Sequence, residues 1–239
     1  HLSIRRQRQM CIRDRYYLAL ARQFLGIEGE GAGGTPRLEL CVTAEDDLAG
    51  AEVLARAGLD PLALPPLAVL SPGGNNPAKR WPIERFAAVA DFLSQEHGLT
   101  VLVNGSPAER DLVGGLVAAC ARARAMSLPE HGVTLPALKA IVARARLVVT
   151  NDTGPRHIAG ALGVPVVTLF GPTDHRWTTI PTRPLANGSA SEEVMLADPT
   201  LPESESANNH PERCRIERIG VPTVLAACAR LLGTARVVG

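Results

Sequence analysis

Asn151-Asp152-Thr153-Gly154-Pro155-Arg156-His157-Ile158-Ala159 is the stretch that decides the fold of this chain. It follows the strand-like run Leu147-Val148-Val149-Thr150 and opens a short helix that stops at Gly163. A second apolar run, Val166-Val167-Thr168-Leu169-Phe170, comes straight after. A strand that turns through Gly into a helix aims several free backbone N–H groups at one point. That point carries the partial positive charge of the helix dipole and suits a phosphate. Thr153 and His157 are four residues apart, which places their side chains on one helix face near it. Asp152 or Thr153 can instead be a plain N-cap, and His157 a core histidine. The convergence of free N–H groups, a hydroxyl and an imidazole favours the ligand reading: the diphosphate end of a nucleotide-sugar site.

Outward from this motif the chain reads as βα repeats. Residues 67–70 form a buried strand, followed by the loop Ser71-Pro72-Gly73-Gly74-Asn75-Asn76-Pro77-Ala78-Lys79-Arg80. A helix starts near Pro82, a favoured first-turn residue, carries its apolar stripe on Ile83, Phe86, Ala87, Ala90 and Leu93, and ends at Gly98. Residues 99–103 are the next strand, residues 106–121 a helix, and Met126 sits in a short third strand. Thr134 caps a helix bearing Leu138, Ile141, Val142 and Ala145. After Phe170 come the turn Gly171-Pro172-Thr173-Asp174, a last short strand at residues 194–196, a polar exposed loop over residues 197–211, and a terminal helix over residues 221–232. Continuous apolar strands alternating with amphipathic helices imply an α/β fold, a Rossmann-like parallel sheet covered on both faces. Ligands in such sheets sit at the carboxyl ends of the strands, where all these loops lie.

Three further groups carry candidate chemistry. Gly73 and Gly74 let backbone approach a ligand, Asn75 and Asn76 offer amide donors, and Lys79 supplies a point charge for a diphosphate. Glu109 closes a capping box with Ser106, yet a carboxylate at the end of the second strand also suits ribose hydroxyls. Thr173 and Asp174, after the rigid Gly171-Pro172 turn, can reach phosphate or sugar hydroxyls or form a simple turn. Trp81 and Trp177 read as packing residues. Cys214 and His210 are too isolated to argue a metal.

Apolar residues make up 46% of the 239 and charged residues 21%, an ordinary globular balance. The net charge of +1 gives no reason to expect a nucleic-acid partner. No run of 18 apolar residues suggests a spanning helix. Five scattered cysteines without a CxxC pair read as reduced cytosolic thiols. Residues 1–15 stand apart, with five Arg against Asp14; without them the remainder has 20 basic and 23 acidic residues. Their Gln-Met-Cys-Ile-Arg-Asp-Arg stretch resembles translated sequencing adapter, so the segment is expected to be non-native, or else a disordered basic arm. Residues 16–25 look helical, a Gly-rich linker spans residues 26–34, and Arg37-Leu38-Glu39-Leu40-Cys41-Val42 alternates as a half-buried strand. A helix over residues 46–57 ends at Gly58.

Taken together, Pro72-Gly73, Pro77-Ala78-Lys79-Arg80-Trp81-Pro82, Asn151-Asp152-Thr153-Gly154 with His157 and Ala159, and Gly171-Pro172-Thr173 resemble the heptosyltransferases of lipopolysaccharide core synthesis, glycosyltransferase family nine. The resemblance runs from about Tyr17 to Leu232. It implies a GT-B fold, two Rossmann-like domains across a cleft, the C-terminal one holding a nucleotide sugar, usually ADP-heptose, with no metal or other cofactor. It implies that Lys79 and the amides near Thr153-Gly154 neutralise the diphosphate, Asp152 meets sugar hydroxyls, His157 the phosphates, where it stabilises the leaving group, and Glu109 the ribose. The acceptor implied is a glycolipid of the lipopolysaccharide-core type, and the enzyme a monomeric cytoplasmic one, peripheral at the inner membrane.

Two departures accompany the resemblance. The family's N-terminal domain begins with a strand and a Gly-rich loop and supplies the general base; here residues 16–66 read as a remnant of that domain and a linker, and residues 67–239 as the nucleotide-sugar domain. On this reading the chain binds nucleotide weakly and transfers nothing alone. Pro155-Arg156 also replaces an apolar pair common in the family. The competing readings are a GT-B epimerase or hydrolase, which would need its own acid and base in the cleft, and a non-catalytic nucleotide-binding module. A dinucleotide oxidoreductase is disfavoured because no G-x-G-x-x-G follows a strand.

Overall fold

The computed structural model describes Phe24 and residues 38–182, 184–185 and 187–234. The expected helix at residues 16–25, apart from Phe24, the Gly-rich linker and the basic segment 1–15 lie outside these residues. Six parallel strands form one sheet in the order β3-β2-β1-β4-β5-β6: β1 (Leu67–Ser71), β2 (Thr100–Val103), β3 (Ala125–Ser127), β4 (Ala145–Asn151), β5 (Val166–Phe170) and β6 (Glu192–Leu196). The order reverses direction between β1 and β4, the hallmark of a doubly wound sheet with a crevice at the switch point.

Alternate strand residues feed two cores, as a pleated sheet covered on both faces requires. Ala68, Leu70, Val101, Val103, Leu147, Val149, Val167 and Leu169 pack under α2 (Ile83–His97), α3 (Arg110–Ala119) and α6 (Val221–Thr234). Leu67, Val69, Leu102, Val148 and Val166 pack on the other side under α1 (Ala44–Arg56), α4 (Leu135–Ala143) and α5 (Gly154–Leu162). The helix ends are set locally. Gly98 and Gly163 take left-handed φ of 65° and 72°, closing α2 and α5, and Thr134 accepts from the Ala137 N–H to start α4.

Two expectations change. Residues 38–42 form no strand. Leu40 and Cys41 are exposed, and the stretch is held by a bond from the Leu38 N–H to the Pro181 carbonyl at 3.3 Å. Among the described residues no strand pairs with it, for the edge strands β3 and β6 bond to β2 and β5. The helix before residue 66 packs on the sheet's second face. In α1, Val53 and Leu54 are fully buried in the second core, Gly50 lies against Ala140, and Asp46 and Asp47 pair with Lys139 and Arg144 of and just beyond α4. Residues 197–211 are not simply exposed, for Ala197 and Ser206 are buried. Arg213 binds Asp198, and Arg176 donates to the carbonyls of Glu203 and Glu205.

Candidate functional site

The loops after β1 and β4 meet at the switch point and, with the loops after β2 and β3, enclose a cavity of about 620 Å³. The meeting is fixed by Asn151, the last residue of β4. Its buried side-chain amide donates to the carbonyls of Pro72 (2.7 Å) and Gly73 (3.1 Å) and accepts from the Trp81 N–H (3.3 Å). One side chain thereby pins the glycine loop to the helix start. Trp81 is buried, stacked edge-on against Phe86, and donates to the Ile219 carbonyl. Within the loop, Gly74 has a φ of 152°, open to glycine and strained for other residues. Gly73 is needed for another reason: a β-carbon there would lie 2.3–2.6 Å from the Glu109 carboxyl atoms.

Glu109 is therefore clamped. One oxygen accepts from the Gly74 N–H (2.7 Å), the other from the Ser106 N–H (2.8 Å) and hydroxyl (2.9 Å). Burial opposes its charge, but these bonds and the nearby Arg80 outweigh burial and hold its pKa below the usual carboxylate range. Arg80 also donates to the Gly74 carbonyl, closing the loop on itself.

On the opposite lip, Thr153 occupies the N-cap position of α5 without a side-chain cap bond. Its hydroxyl instead meets Thr150 Oγ1 at 3.2 Å and the Asn151 carbonyl at 3.3 Å. Asp152 does not cap either. Its carboxylate meets Lys79 Nζ on one oxygen and Arg156 Nη1 on the other, each at 3.2 Å. The first turn of α5 is thus left without a side-chain cap, facing the cavity beside a lysine, the arrangement that receives anions. The far wall is apolar: Pro107, Val133, Leu135, Leu138 and Ile158.

The sequence profile of glycosyltransferase family 9 (heptosyltransferase) matches residues 5–208. The chain belongs to this family. Among curated relatives, lipopolysaccharide heptosyltransferase 3 of Escherichia coli is 34% identical over 109 residues, 45% of this chain and 32% of that protein. Lipopolysaccharide heptosyltransferase 1 of Pseudomonas aeruginosa is 36% identical over 100 residues, 42% and 27% of the two chains. The aligned region spans about a third of the length of these relatives. A family 9 glycosyl transferase from Veillonella parvula has the same fold, with a TM-score of 0.65, 24% identity, and coverage of 81% of this chain and 53% of that one. E. coli ADP-heptose lipopolysaccharide heptosyltransferase II gives 0.60, 23%, 83% and 54%.

Of the candidate site residues read from the sequence, Gly73, Gly74, Asn75, Lys79, Glu109, Asp152, Thr153 and Gly154 line this cavity. His157 does not line it. It lies exposed one turn along α5, where partial burial and the Arg156 cation push its pKa below the usual histidine value against the pull of Asp152 and Glu192. Thr173 is also elsewhere, on a separate cavity of about 200 Å³ beside Asp174, His175 and Arg176. Gly171 is explained by packing, since a β-carbon there would meet Ile216 at 2.8 Å. Trp177, expected to pack, is about half exposed. Sequence reasoning missed Asn151 as the organiser of the site, and it missed the apolar wall. The wall's one sequence signal is an apolar residue, Leu135, at a helix start beside the Thr134 cap.

Proposed function

We propose that this chain binds the donor of a glycosyl transfer, a nucleoside-diphosphate sugar of the ADP-heptose type, and that the whole enzyme moves the heptose to a lipopolysaccharide-core-type glycolipid. The observation that carries this is the division of one cavity into an apolar wall and a cationic, amide-rich lip, bridged by a fixed carboxylate. A base fits the wall formed by Pro107, Val133, Leu135 and Leu138. Glu109 stands between, and the oxygen that accepts only the Gly74 N–H keeps a lone pair for a ribose hydroxyl. Lys79 and the first turn of α5 face the diphosphate. On glycosyl transfer the departing diphosphate gains charge, and donors fixed in advance are the usual means of stabilising it.

The family supports this reading. An E. coli heptosyltransferase has been solved with ADP, and over 69% of this chain the two share a fold at a TM-score of 0.53. In our reading Asp152 keeps its place near the sugar. His157 stands outside the cavity and meets the part of the donor that projects from it, and Thr173 faces the sugar or acceptor side. Peripheral contact with a membrane, for the glycolipid acceptor, belongs to the same proposal; among the described residues no helix is long and apolar enough to cross a membrane. Equilibrium titration with ADP, UDP and GDP tests the donor assignment. Tightest binding of ADP is expected, and absence of binding by all three would overturn it.

A further inference from the structure

Arg156 has a place in this chain that the nucleotide site does not by itself explain. It follows Pro155 in the first turn of α5, yet its side chain is only 1% exposed and does not line the cavity. The guanidinium lies 4.9 Å over the Phe170 ring. Its Nε and Nη2 grip the two oxygens of Glu192 on β6, at 2.6 and 3.2 Å. Its Nη1 donates to the Thr178 carbonyl at 2.6 Å and to Asp152 at 3.2 Å. Glu192 is held in turn by the Thr168 hydroxyl at 2.7 Å. Four charges therefore alternate in a row, Glu192, Arg156, Asp152 and Lys79, running from the sheet edge to the cavity. Of the four, Lys79 is the most exposed, at 27%.

Lys79 has two competing partners in this arrangement. It is paired with Asp152 as the site stands, and a diphosphate needs the same ammonium. An Asp152 carboxylate only 7% exposed is costly to leave without a cation. We propose that Arg156 is a positioning residue that keeps Asp152 paired, so that Lys79 can pass from Asp152 to the phosphates of the ligand. The inference rests on the donor-site reading given above. It assigns Arg156 no contact with the ligand, only control of the carboxylate that competes for Lys79.

ADP is the probe, because it carries the diphosphate without the sugar that Asp152 is assigned to meet. Arg156→Met is combined with Glu192→Gln, so that no bare charge is left at the sheet edge. ADP affinity is then expected to fall about tenfold, the weight of one close charge partner. Adding Asp152→Asn is expected to restore most of the loss, since nothing then competes for Lys79, while the melting temperature stays lowered. A merely structural Arg156 would lower melting and affinity together, with no rescue. Wild-type affinity in the double variant, or no tighter binding in the triple, would overturn the proposal. Should the double variant not fold, Arg156→Lys keeps the charge without the fork. It is expected to show a smaller loss that Asp152→Asn also reverses, and no loss or no reversal counts against the proposal equally. Failure of the wild-type chain to bind ADP would instead remove the donor-site reading itself.

Discussion

Gly73 and Glu109 illustrate how closely single residues are fitted at this site. The carboxylate occupies the space a side chain at position 73 would take, and the bond from Gly74 depends on that approach. Gly73→Ala is expected to force Glu109 aside and cost about 1–3 kcal/mol of stability, as insertion into a filled space does. Denaturant unfolding measures it, and an unchanged midpoint would contradict the packing described. Asn151→Ala is expected to cost more than a surface change and to weaken ADP binding, because two carbonyls lose their donor at once. At this scale the sequence was legible where a residue's role is local. The Ser106–Glu109 capping box and the Gly98 and Gly163 ends follow from near neighbours. Asn151 and Arg156 were not legible because their partners, Pro72 and Glu192, are distant in sequence and only the folded sheet brings them close.

Among the elements, α1 forms where the sequence expects a helix, and its packing is what the fold adds. Its amphipathic pattern marks it as a helix but cannot say which core receives it. The answer lies in the flat contact at Gly50, where a β-carbon would come within 2.8 Å of Ala140 Cβ. Gly50→Ala would gain about 1 kcal/mol of helix propensity on an exposed surface. Here it is expected to lower the melting temperature instead, and a raised one would contradict the packing of α1 on α4.

The same interface gives a pH dependence. Hydrogen bonds from Lys139, then from Thr43, lower the Asp46 pKa from 3.8 to about 2. A carboxylate with a depressed folded pKa contributes stability that is fully present above its unfolded value and lost as pH falls through the folded one. Acid unfolding is therefore expected to lose this contribution between about pH 4 and pH 2, and Asp46→Asn is expected to flatten the profile in that window. The strand expected at residues 37–42 shows the limit of period-2 reading. Alternation reports a half-covered stretch, while strand formation needs a pairing partner, and residues 38–42 join no strand of the sheet.

For the whole molecule, the parallel sheet and its helices were readable from apolar periodicity, and the position of the cavity follows from strand order once that order is known. The sequence showed that the loops share one edge. It did not show that β1 and β4 are neighbours, which is what joins Lys79 to Asp152 across 73 residues. Nor did it show that the loop after β5 opens into a different cavity, carrying Thr173 away from the others. Because His157 is likewise outside, His157→Gln is expected to disturb ADP binding less than Lys79→Ala does; equal losses would place the imidazole on the phosphates after all. The central claim is that this cavity holds the diphosphate of a nucleotide-sugar donor. Calorimetric titration of ADP into the wild-type chain and Lys79→Ala tests it most directly. Binding by the wild type and a loss of about tenfold or more in the variant are expected for a charge-assisted phosphate contact; no binding by the wild type, or equal affinity in the two, would contradict it.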